Sequence, residues 1–177
     1  NFSEFYKVCD IVSADLLKQV FPLADAAKVE KDSLKKYSIF YQHKTKNECV
    51  ADLVVPFFST YHYSVYVPTN KAIQDAYALG LPTYEEIEAE VAAGNEGRAA
   101  SIIRMINKFA RYHFQDNAVY VDTKPFSVTS AGVTYDTVRY ETAAIDDATG
   151  RFFETIIKSE ADDNGGHTIT IRDNLGR

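Results

Sequence analysis

Glu85, Glu86, Glu88 and Glu90 crowd into one short segment, and carboxylates are the usual tools of general acid–base and glycosidic chemistry. A glycosidic pair must face across a cleft, however. Consecutive glutamates early in a helix form a solvated face that complements the positive end of the helix dipole. Asp146-Asp147 and Asp162-Asp163-Asn164-Gly165 carry oxygen ligands of the kind calcium takes, without the alternating spacing of a calcium loop. Hairpin turns account for both. His43, His62, His113 and His167 are scattered, and no H-E-x-x-H, G-x-S-x-G, phosphate loop or dinucleotide fingerprint occurs. The residue types therefore mark no catalytic set, no metal site and no cofactor site. A Ser–His–Asp set assembled only in space, and hence a hydrolase on an unrecognised site, stays open. Cys9 and Cys49 are compatible with one disulfide or with two buried thiols, and their spacing is not that of a metal site.

The elements that must position these residues follow from periodicity and turn chemistry. Phe5, Val8, Cys9, Val12, Leu16, Leu17 and Val20 recur at helical steps, with a break at Ser13 and a stop at Pro22. Residues 24–36 read as a solvated helix or loop, and Tyr37–Tyr41 as a strand. Val54–Phe58 leads into an aromatic, β-branched strand at Tyr63–Val67, which Pro68 ends because it has no backbone donor. Thr69 and Asn70 are side chains that accept from the orphan amides of a helix start. The helix after them ends at Gly80, placed for a left-handed residue, with Pro82 beyond. Thr83-Tyr84-Glu85-Glu86 is a capping box for a second helix with Ile87 and Val91 on its buried face. A longer helix spans about Ala99 to Phe114. Ile102, Ile106, Phe109 and His113 share one face of it, overlapped by Met105, Phe109 and Tyr112. A histidine there is a packed core residue first, and a ligand or proton shuttle second.

After Asn117 the pattern changes to strands: Ala118–Val121, Val133–Tyr140, Arg151–Lys158 and His167–Arg172, with hairpin turns at Asp147–Gly150 and Asp163–Gly166. Helices first and a strand meander last give the α+β class, with no internal repeat and no composition break.

Tyr63-Ser64-Val65-Tyr66-Val67-Pro68-Thr69-Asn70-Lys71-Ala72-Ile73 resembles the first signature of fasciclin domains, an aromatic strand followed by Pro-Thr-Asn/Asp. Tyr112-His113 resembles the family's tyrosine–histidine motif, in the expected order. The resemblance implies a single domain over residues 1–177, a wedge of β-sheets flanked by a helical bundle. By it, Thr69, Asn70, Tyr112 and His113 are the matching positions, fold-determining first and interaction-determining second. It also implies an adhesion or binding module, secreted or on the cell surface, without catalytic activity and with a protein or glycan partner. The aromatic-rich variety is similar to that of bacterial surface lipoproteins, with membrane contact only through an anchor outside this chain. The alternative is a carbohydrate- or ligand-binding accessory protein with tyrosines stacked on sugars. The family's closing Asn-Gly strand has no match, so the expectation is a domain trimmed at its C-terminus, with a sheet edge left unpaired.

Composition bounds the rest. Lys plus Arg number 19 and Asp plus Glu 25, so the net charge is −6 and nucleic acid is a poor partner. Tyr (12) and Phe (11) are frequent while Trp is absent, which suits aromatic strands more than a tyrosine-lined surface. No apolar run approaches the ~20 residues of a membrane span. The chain begins at Asn1, as a mature or trimmed chain would, and Asn1-Phe2-Ser3 is a formal glycosylation sequon at that end.

Overall fold

A computed structural model of the protein describes residues 2–9, 12–13, 36–37, 63–119, 128–130, 132–135, 137–161 and 163–177. The expectations for residues 14–35 and 38–62, including Cys49, His43 and His62, lie outside the described residues. The described chain is mixed α+β, with four helices and a curled five-stranded antiparallel sheet. It divides into two compact units, one helical (Asn1–Phe58 with Tyr66–Arg111) and one built on the sheet (Ser59–Val65 with Tyr112–Arg177).

In the helical unit, α1 (Ser3–Cys9) buries Phe5, Val8 and Cys9. It is shorter than the periodicity predicts. Val12–Ser13 forms a short strand, β1, paired antiparallel with β2 (Lys36–Tyr37), so β-branched Val12 leaves the helical pattern it was expected to continue. Helix α2 (Asn70–Ala78) buries Ile73. Its C-terminus closes by a Schellman pair, with Leu81 N donating to Ala76 O at 2.9 Å and Gly80 N to Tyr77 O at 3.0 Å. Gly80 takes φ +101°, the left-handed conformation its position predicts. The capping box also forms: Glu86 Oε1 accepts from Thr83 N at 3.3 Å at the head of α3 (Tyr84–Ala92). Ile87 of α3 is fully buried, while Val91 is only half-buried.

Helix α4 (Glu96–Tyr112) buries Ala99, Ile102, Ile103, Ile106, Asn107 and Ala110. That stripe is rotated from the expected one. Ile102 and Ile106 belong to it, but Phe109 is half-buried and Met105 is exposed. The helix also stops at Tyr112 rather than Phe114.

The sheet unit begins with β3 (Tyr63–Val65) and runs through β4 (Phe114–Asp116), β7 (Thr137–Ile145), β8 (Phe152–Ala161) and β9 (His167–Asp173), in that spatial order, all antiparallel. A separate hairpin joins β5 (Val128–Ser130) to β6 (Val133–Tyr135). Three sequence expectations change here. The strand after α4 is Phe114–Asp116, with Phe114 and Gln115 fully buried, whereas Ala118 and Val119 lie outside any strand. Asn117 turns the chain between them at φ +72°, a conformation asparagine tolerates better than most residues. The expected strand Val133–Tyr140 is two strands, and the second runs on to Ile145.

That extension contains a bulge. Glu141 pairs with Glu154 and Ile145 with Phe152, so Thr142, Ala143 and Ala144 stand against Phe153 alone. All three of these small residues are buried, which breaks the alternation a regular strand would show. Thr142 also supplies the pairing of β7 with Gln115 of β4. Gln115 is held from inside the sheet: Thr155 Oγ1 donates to its Oε1, and its Nε2 donates to Asn117 O at 3.1 Å.

Candidate functional site

The motif positions come first. Thr69 is the N-cap of α2, and its Oγ1 accepts from Ala72 N at 3.2 Å. Asn70 caps a different helix from its own. Its Oδ1 accepts from Glu4 N at 3.0 Å, in the first turn of α1, and its Nδ2 donates to Ser3 Oγ at 3.1 Å. Two adjacent side chains thus start two helices, and α1 packs against α2.

Tyr112 serves the sheet unit. Its ring meets Phe153 edge-on, with centroids 5.2 Å apart, and its hydroxyl donates to Asp173 Oδ2 at 2.9 Å. Asp173 gathers the C-terminal loop as well: Oδ1 accepts from Leu175 N and Arg177 N, each at 2.9 Å, and Oδ2 from Arg177 Nε at 2.9 Å. Burial disfavours the Asp173 anion. The Arg177 amide, the Tyr112 hydroxyl and the Arg177 guanidinium outweigh it and hold the carboxyl below its ordinary range. Burial, reinforced by Asp173, pushes the Tyr112 phenol up, so it remains a donor. His113 follows in a turn, half-buried, with its ring 6.3 Å from that of Tyr112 and nearly perpendicular to it.

The early glutamates of α3 are also accounted for locally. Glu85 is held below its ordinary range by its own backbone amide first and the Thr83 hydroxyl second. Glu90 accepts from Asn95 Nδ2 at 2.9 Å and Arg98 Nε at 2.6 Å. Among the described residues no three His, Cys, Asp or Glu side chains converge as metal ligands.

A concavity lies elsewhere, at the bulged end of the β7–β8 hairpin. It is an open groove of about 630 Å³, lined by Glu141, Arg151, Phe152, Glu154 and Asn174 among others. Register explains how these meet. Glu141 and Glu154 are directly opposed, and Ile145 and Phe152 form the next pair along the same face. Asn174 is tied to β8 through its amide, which donates to Glu154 O at 3.1 Å. The floor beyond the strands is the turn organised by Asp146. Its carboxylate accepts from Ala148 N at 3.1 Å and Thr149 Oγ1 at 2.9 Å, and its carbonyl from Gly150 N at 2.8 Å. A smaller cavity of about 140 Å³ in the helical unit is bordered by Glu4, Lys7, Tyr77 and Glu85.

The structure therefore brings Tyr112 and His113 together and gives Thr69 and Asn70 structural bonds, whereas the groove residues carry no sequence motif. Their signals in the sequence are the Asp147–Gly150 turn with Asp146 before it, and the flanking glutamates, which meet only once the register is set. No family model, curated protein or solved structure matches the chain.

Proposed function

We propose that this chain is a fasciclin-like binding module, its sheet belonging to the wedge of that family, which recognises a protein or glycan at an extracellular or cell-surface location and performs no chemistry. The side chains of Thr69, Asn70 and Tyr112 support this reading, because each spends its polar atoms on helix starts or on the C-terminal loop. Residues so used determine a fold and leave recognition to another surface. The observation that carries the reading is the groove at the end of the β7–β8 hairpin, where an exposed aromatic ring borders carboxylate, amide and guanidinium groups. Concave sites that join apolar surface to a few convergent polar groups are the usual form of binding sites.

The test is a cell-adhesion assay and a glycan array on the intact protein, run beside a broad hydrolase screen. Binding in either of the first two, weakened by substitutions in the groove, is the expected result. Blank binding assays with a positive hydrolase screen would reverse the reading.

A further inference from the structure

We propose that the β7–β8 groove binds a neutral saccharide, with Phe152 as the stacking platform and Glu141, Arg151 and Asn174 as the hydrogen-bonding rim. This deepens the binding-module reading and rests on it. Phe152 is 37% exposed at the end of a strand whose inward-facing residues Thr155, Ile157 and Ser159 are buried. Its cross-strand neighbour Ile145 is also exposed, at 39%, so the two form an apolar strip beside the opposed glutamates. The strip lies beside the bulge, where Thr142, Ala143 and Ala144 are buried between the pairs Glu141–Glu154 and Ile145–Phe152. Bulges commonly re-aim side chains beside binding sites.

Charge narrows the ligand. Of the three lining carboxylates, Glu154 is paired with Arg139 Nη1 at 3.0 Å. The Asp146 carboxylate is occupied by its own turn. Glu141 and Arg151 remain, exposed and of opposite sign, with the Asn174 amide between acceptor and donor roles. A strongly cationic or anionic ligand would meet a like charge on one side of this rim. A pyranose presents an apolar C–H face for an aromatic ring and an edge of hydroxyls that both donate and accept. The volume of about 630 Å³ falls within the ~300–1,000 Å³ of small-ligand clefts.

The full chain would be titrated with neutral methyl pyranosides by saturation-transfer NMR, and screened on a glycan array. Phe152→Ala and Glu141→Gln would be run beside it and their melting temperatures measured. The expected result is binding of at least one neutral glycan, weakened roughly fivefold to tenfold by Phe152→Ala at an unchanged melting temperature. Equal binding by Phe152→Ala, or binding confined to charged glycans or basic peptides, would overturn the saccharide assignment. So would a blank array beside cell adhesion that Phe152→Ala abolishes, an outcome that keeps the binding-module reading. Blank results in every binding assay would overturn both.

Discussion

Tyr112 divides its side chain between two tasks, ring against Phe153 and hydroxyl against Asp173. Its two truncations should therefore separate. Tyr112→Phe removes only the hydrogen bond and should cost about 1 kcal/mol, while Tyr112→Ala also removes the ring contact and should cost about 3 kcal/mol. Urea unfolding of both variants measures the difference, and equal losses would mean that the ring contributes nothing. Asp173 adds a pH dependence with a definite sign. Its carboxyl pKa is lower in the folded chain than in the unfolded one, so over that window the unfolded chain binds more protons. The stabilisation is complete above the unfolded value near 4 and is lost as pH falls through the folded value. Asp173→Asn should accordingly be less stable than the native chain at pH 7 and pH 5, with the gap closing toward pH 2.5. A gap that stays constant over that range would show that the charge is not what stabilises. The bond itself was not legible in the sequence: Tyr112 reads there as a motif position on an apolar row, but its partner Asp173 lies 61 positions away.

The elements were most legible where their chemistry is local. Gly80, the Thr83–Glu86 capping box and the Asp163–Gly166 turn each specify a backbone conformation within a few residues, and each forms. Gly80→Ala is a clean measure of one of them. A methyl group there meets nothing within 4 Å, so the cost is that of holding an L-residue at φ +101°, about 1–2 kcal/mol. Thermal unfolding checks it, and a neutral substitution would mean that the helix end readjusts. The sequence failed where tertiary pairing decides. Apolar spacing continues from Phe109 to Phe114, yet α4 ends at Tyr112 and Phe114 and Gln115 are buried in β4. The bulge in β7 is invisible for the same reason, and with it the groove, since Glu141 and Glu154 face each other only after register is set. Asn70 is an intermediate case. Its type announces a cap, but the helix it caps is α1, more than sixty positions earlier in the chain. Asn70→Ala should cost about 1 kcal/mol and raise amide exchange in α1, whereas Thr69→Ala should cost as much and raise it in α2. Exchange rising in α2 alone for both variants would refute the crossed cap.

At the scale of the whole molecule, the path of the chain constrains what can fold separately. Strand β3 belongs to the sheet unit, yet in sequence it lies between two stretches of the helical unit. A fragment cut before Tyr112 therefore keeps β4, β7, β8 and β9 but loses β3, the outer of the two partners of β4. With β3 go the register pairs Tyr63–Asp116, Ser64–Gln115 and Val65–Phe114. Ser64 also takes two bonds with it, donating to Asn117 O at 3.2 Å and accepting from Val119 N at 3.0 Å. Phe114 and Gln115, fully buried in the intact chain, would then sit in an edge strand with one face of their backbone open. Residues 112–177 alone should accordingly unfold at a lower urea concentration than the same strands in the full chain, with the loss concentrated at β4. The β8 amides, laddered on both sides by β7 and β9, should stay the slowest to exchange in either context. Hydrogen exchange on the fragment and the full chain distinguishes the outcomes. Equal protection of β4 in both would mean that β3 adds nothing to the sheet, and that the signature strand is held in place by its sequence neighbours rather than by its ladder.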